Sequence, residues 1–246
     1  MSSSLVFAKM PAIAAYKLAL KQGDAALEKM AERKDVKAEV DYFNKNIQSV
    51  KSVDDLFKDR RMIQFVLDAV DLGKETGKMG LLKKVLTQKA DDPDALMNKL
   101  IDKRFKTAAS LLKLGENGLG TIQRESTKAD LAELYVKNKY DAGLASQNSA
   151  VPLALYFKEN ASSVKNTYEI LGDQRMRHVV TTALGLPLQL ANQSVEAQAA
   201  AIEKRLKLSD LKDGKFVDKL AQRFLMASDD GRSSTGSNKY VLNLFA

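Results

Sequence analysis

The sequence predicts an all-α protein made of two tandem, pseudo-repeated four-helix units, preceded by an N-terminal helix and followed by a flexible C-terminal tail. Three observations predict it. Residues 42–72 align without a gap on residues 156–186, at a constant offset of 114, with 12 identities in 31 positions; chance would give about two, so the chain carries an internal duplication. In both copies apolar residues recur at helical spacing. Strand-like alternation is scarce, and only four prolines occur in the whole chain.

The elements follow in order. Residues 1–41 form an N-terminal segment, helical from about residue 12. Residues 42–114 are the first repeat. There Ser52, three residues before Asp55, sets an N-cap oxygen and an N3 carboxylate at a helix start, and Asp59 caps the next helix. Met62, Phe65, Val66, Ala69 and Val70 make one apolar stripe, and Gly73 is expected to end it. A further stripe holds Met79, Leu82, Val85 and Leu86; Asp92 then reads as an N-cap with Pro93 at the first helical position.

Residues 115–154 read as a linker, "GENGLGTIQREST", and a connecting helix with Leu131, Leu134 and Tyr135 on one side. Residues 155–227 are the second repeat. Asn166 with Glu169 and then Asp173 take the capping roles, Met176, Val179, Val180, Ala183 and Leu184 form the stripe, and Gly185 and Pro187 end it. Ser194 opens a helix with Val195, Ala199, Ile202 and Leu206 on one side, and Asp213 opens the last one. Residues 228–246 form a polar, Gly- and Ser-rich tail with the apolar end "KYVLNLFA".

Composition narrows the chemistry. Without cysteine there are no disulfides, thiolate nucleophiles or sulfur-ligated metals. Lys9, Pro11 and Lys17 divide the N-terminal apolar stretch too finely for a cleavable signal peptide. No run approaches the roughly 20 apolar residues that cross a bilayer, so no membrane span is expected. The formal charge of +8 would suit nonspecific nucleic-acid binding, but acids and bases alternate along "LEKMAERKDVKAEVDYF", as on a solvated helix face.

Candidate sites reduce to structural readings. His178, the single histidine, matches Gln64 of the first copy, off the apolar stripe, and is expected to face solvent. Asp91, Asp92 and Asp94 lack the glycine and closing glutamate of a calcium loop. Gly115, Gly118 and Gly120 follow no strand, and Glu75 stands where a phosphate loop starting at Gly73 and Lys74 needs Ser or Thr. Catalytic, cofactor and metal residues are therefore none. Tyr42, Phe43, Tyr156 and Phe157 are expected in the core with the hydroxyls at its rim.

Arg61 and Arg175 stand out, because each copy retains one near a helix N-terminus, where the dipole disfavours a cation. They are expected to pair with an acid such as Asp55 or Glu169, or to contact a partner protein. In the tail, Tyr240, Leu242, Leu244 and Phe245 are further partner-contact candidates.

The segments "DYFNKNIQSVKSVDDLFKDRRMIQFVLDAVDL", "ALYFKENASSVKNTYEILGDQRMRHVVTTALGLP" and "IEKRLKLSDLKDGKFVDKLAQRF" together resemble the bacterial family of domain of unknown function 1217. The resemblance covers roughly residues 16–224 and carries over no catalytic or binding residue. Because members of that family are often encoded among flagellar genes, it implies a non-enzymatic flagellum-associated protein, a structural component, export substrate or chaperone-like factor. A flagellar component or the export machinery would be its protein partner. The implied location is cytoplasmic, with export to the flagellum as an alternative. A helical nonspecific nucleic-acid binder is the competing expectation.

Overall fold

The computed structural model describes residues 10–89, 91–100 and 102–233. Among them every regular element is an α-helix or a 3-10 turn and no strand occurs. In chain order the helices are α1 (Ala12–Ala31), α2 (Lys34–Asn46), α3 (Val53–Lys58), α4 (Arg60–Ala69), α5 (Met79–Leu86), α6 (Leu96–Lys99) and α7 (Lys103–Leu112). They continue as α8 (Leu114–Asn117), α9 (Glu125–Ala145), α10 (Ala150–Asn160), α11 (Thr167–Gly172), α12 (Gln174–Ala183), α13 (Val195–Glu203) and α14 (Gly214–Ser233).

The chain packs as two compact units, an inserted one, Asp24–Tyr140, and a flanking one made of Met1–Gly23 with Asp141–Ala246. These units divide the chain differently from the repeat boundaries. The N-terminal segment breaks at Gly23, whose φ of 42° and ψ of −130° leave helical space, as glycine tolerates. The part of α1 before it joins the flanking unit, where the Ala12 amide donates to Asp229 Oδ2 at 2.8 Å and the Tyr16 hydroxyl to Asp218 Oδ1 at 2.8 Å. Nor does the expected connecting helix merely connect: Leu131, Tyr135 and Val136 of α9 lie in the core of the inserted unit.

In the inserted unit the predicted stripe goes inward. Met62, Val66, Leu82, Val85 and Leu86 are fully buried, around a stack in which Phe65 lies between Phe43, 4.5 Å away, and Tyr135, 4.4 Å away. Ring pairs at this spacing add to what burial alone contributes. In the flanking unit α10, α12 and α14 pack on one another, burying Phe157, Val179, Val180, Ala221 and Phe224 completely.

Four expectations need correction. Asp92 does not cap a helix: its Oδ1 accepts from the Asp94 amide at 2.9 Å within a turn, while Gln88 Oε1 takes the Leu96 amide at 2.8 Å. Asp102 is the cap in this region, accepting from the Arg104 amide at 2.9 Å. Gly73 is not the left-handed residue that ends α4. That residue is Asp71, with φ 58°, matched by Gly185 with φ 61°; the bonds Leu72 N to Leu67 O, 2.8 Å, and Leu186 N to Thr181 O, 2.9 Å, close the same helix-ending motif in both copies. Gly73 is needed for room instead, since a Cβ there would sit 1.8 Å from Asp68 Oδ1. The "GENGLG" loop is largely helical, as α8 and a 3-10 turn, Gly118–Gly120. Finally, Val195 leaves its predicted stripe and is 51% exposed, whereas Ala199, Ile202 and Leu206 are buried.

Candidate functional site

Both copies fold the Ser-Val-Lys lead-in into the same corner. A helix carrying tyrosine and phenylalanine ends in a 3-10 turn, Ile47–Ser49 or Ala161–Ser163, where the asparagine side chain folds back on the tyrosine carbonyl: Asn46 to Tyr42 O at 2.7 Å, Asn160 to Tyr156 O at 2.8 Å. The serine hydroxyl then donates to the asparagine carbonyl, at 2.7 Å in each copy. Next come the predicted caps. Ser52 Oγ accepts from the Asp55 amide at 3.1 Å, and Asn166 Oδ1 from the Glu169 amide at 3.0 Å. In the second copy Glu169 reaches back to the amide of Lys165, the residue before the cap, at 2.9 Å, a variant of the capping box.

The second aspartate ties the corner together. Asp59 Oδ1 accepts from the Met62 amide at 2.9 Å while its Oδ2 accepts from the Tyr42 hydroxyl at 3.2 Å. Asp173 Oδ1 takes the Arg175 and Met176 amides at 2.9 and 3.0 Å, and its Oδ2 accepts from the Tyr156 hydroxyl at 2.5 Å. Each arginine lies over its tyrosine, the Arg61 guanidinium carbon 3.9 Å from the Tyr42 centroid and that of Arg175 3.6 Å from Tyr156. Near a helix N-terminus Arg61 is thus held by a π face and the Glu39 carboxylate, and Arg175 is held by a π face. Burial, then the hydrogen bond to Asp173, pushes the Tyr156 phenol up to about 12; lost hydration and Asp59 raise Tyr42 in the same direction. Both phenols stay protonated near neutrality, as donors rather than nucleophiles.

The acid expected for Arg61 was the wrong one. Arg61 makes a two-pronged pair with Glu39 of α2, at 3.0 and 3.1 Å, while Asp55 binds Ser52 and Lys58 and Glu169 serves the cap. Glu39 precedes the duplicated segment, and the position matching it in the second copy is Leu153. Sequence reasoning missed this residue because nothing repeats there.

Beside Arg61, an open depression of about 510 Å³ is lined by residues including Glu39, Arg60, Gln64, Asp68, Tyr135 and Lys139. Much of its polar lining is engaged internally: Lys139 and Gln64 each donate to Asp68 at 2.7 Å. Asn138, also unforeseen, donates to the carbonyls of Asp68 and Ala69 at 2.9 and 3.0 Å, capping the end of α4. Among the described residues no group of three His, Cys, Asp or Glu side chains could hold a metal ion.

His178 departs from expectation. It is half-buried, edge-on to Phe224 at 5.5 Å, and burial, then the charge of Arg177, lowers its pKa. Phe43 and Phe157 are fully buried, as expected of them. Tyr240, Leu242, Leu244 and Phe245 lie outside the described residues.

With this corner in view, comparison with known proteins places the fold. Residues 69–217 match the family described as protein of unknown function (DUF1217). The chain belongs to that family. A crystal structure of a protein from Agrobacterium tumefaciens superposes on this DUF1217 chain with a TM-score of 0.76 and 31% identity, covering 88% of this chain and 92% of the other. No curated protein matches the chain. The family match includes the corner at Tyr156, Asp173 and Arg175, while that at Tyr42, Asp59 and Arg61 lies upstream of it.

Proposed function

We propose that this DUF1217 protein is a flagellum-associated structural or assembly factor that works through protein–protein contacts rather than turnover. The observation that carries the reading is membership of a family whose resemblance, at the sequence level, implied a flagellar setting. The corners add physical support. Their polar atoms are engaged within the fold, which suits a rigid bracket that fixes helix directions better than a site that must bind and release a substrate. Arg61 keeps 47% of its side chain exposed while paired with Glu39, so its outer edge can meet a partner without breaking the bracket. In this reading the protein resides in the cytoplasm or passes through the export route. No described helix is long and apolar enough to cross a membrane.

A deletion strain tests the proposal. Loss of swimming, restored by the wild-type chain and only weakly by one carrying Arg61→Glu, is the expected result; normal filaments and full swimming speed would remove it. The formal charge of +8 supports the competing nucleic-acid reading, which requires duplex binding that falls steeply with salt and is measured by fluorescence anisotropy.

A further inference from the structure

The two copies differ in what covers the helix after the duplicated corner. In the inserted unit α5 is packed against by α6 and α7, and Gly115 of α8 lies so close to the end of α5 that a Cβ would come within 2.5 Å of the Thr87 and Gln88 carbonyls. The corresponding helix of the flanking unit is α13. Only a 3-10 turn, Leu208–Lys212, lies between it and α14, so the residues between them hold no helices like α6 to α8. Matching the buried Leu82 and Val85 to the buried Ala199 and Ile202 sets Thr87 and Gln88 opposite Lys204 and Arg205, which are exposed.

The uncovered face has a definite shape. Ala197, Ala200 and Ala201, with Gln193, Lys204 and Arg205 around them, line an open depression of about 540 Å³. Leu188, 72% exposed, and Val195, 51% exposed, in the turn before α13 and at its first residue, are two of the five large hydrophobic side chains exposed among the described residues. A floor of alanines leaves room for large side chains brought by whatever settles there.

We propose that residues 234–246 of the same chain dock on this face. Their sequence, "STGSNKYVLNLFA", is a polar spacer followed by Tyr240, Val241, Leu242, Leu244 and Phe245, a set of side chains that gains by leaving water. The segment begins where α14 stops, and α13 and α14 belong to the same compact unit. Extended, it spans roughly 40 Å, more than the roughly 30 Å of the 20-residue α14. It therefore reaches back to the N-terminal end of α14, where the short 3-10 turn leads to α13. Docked in this way, the tail supplies the cover that α6 to α8 give α5, and a partner that binds either tail or face must displace it. The inference stands whether or not the flagellar reading does.

The absence of native cysteine makes a direct test clean. In the full chain, Ala200→Cys with Leu244→Cys is oxidised and compared with Lys21→Cys and Leu244→Cys, Lys21 being an exposed position of the same unit. The expected result is a disulfide within one molecule that forms at least tenfold faster in the first pair and slows to the control rate when Ala197→Arg is added. Equal rates, or a disulfide formed only between molecules, would overturn the proposal. A second measurement leaves the folded body untouched: replacing Leu242, Leu244 and Phe245 by serine is expected to speed hydrogen exchange of the α13 amides several-fold, and unchanged exchange would also overturn it.

Discussion

The corner at Tyr42 and the corner at Tyr156 share their tyrosine, capping aspartate and stacked arginine, yet differ in nearly everything that packs around them. In the first, Phe65 stacks between Phe43 and Tyr135, Glu39 pairs with Arg61, and a left-handed aspartate ends the helix. In the second, Val179 replaces the stacked ring, His178 meets Phe224 edge-on, and glycine takes the left-handed turn. A short-range hydrogen-bond code can therefore hold a fixed geometry while the surrounding core is rebuilt. Side chains that close the corner see only each other; those that fill the core see elements contributed from elsewhere.

Substitutions that remove the ring stack break the comparison hardest. Phe65→Ala, at a fully enclosed site, is expected to cost about 4 kcal/mol of unfolding free energy, whereas Val179→Ala at the matched position costs about 2 kcal/mol, because it removes fewer atoms and leaves a smaller void. Denaturant titration of both variants measures the gap; equal losses would mean that the stack contributes nothing beyond its neighbours.

Removing the shared aspartate tests what the copies have in common. Asp59→Ala and Asp173→Ala are each expected to cost about 2 kcal/mol, from the lost cap and a tyrosine hydroxyl left without its acceptor. Asp173→Ala should also bring the Tyr156 phenol down from about 12, though burial keeps it above its ordinary value, as alkaline absorbance titration can record. Gly185→Ala then probes the helix ends. No atom lies near the Cβ it would add, so the left-handed backbone alone sets the cost, about 1 kcal/mol.

The finest distinction is a matter of pH. His178 has a lowered pKa in the folded state, so the unfolded chain binds its proton more readily. Its contribution to stability is complete above the unfolded value near 6.5 and is lost as pH falls from there toward the folded pKa. His178→Gln, which installs the residue of the first copy, should flatten the stability profile over that window, while the lost contact with Phe224 shifts stability by the same amount at every pH. A wild-type profile that matches the variant in slope across the window would mean the imidazole is not held in its neutral form.

How much could be read in advance depended on range. The caps at Ser52, Asp59, Asn166 and Asp173 and the buried stripe around Met62 and Met176 followed from spacing, because each involves residues within one or two helical turns. The Glu39 partner of Arg61, the Asn138 cap on α4 and the burial of His178 against Phe224 were not legible, since each joins positions far apart in sequence. Asp71 misled for a related reason: glycine is the usual left-handed residue, and Gly73 stood nearby, needed for space against Asp68.

By itself the sequence determined that this chain is helical, that it carries a duplicated corner, and where each corner begins, because capping and periodicity are local and hydrogen-bond geometry repeats when residues do. Only the tertiary structure decided that α9 completes one core, that the first part of α1 joins the unit holding the second copy, and that the described helices leave the outer face of α13 open. Those outcomes depend on which distant apolar surfaces meet, and a surface chooses its cover by shape and area, which no short stretch of sequence contains.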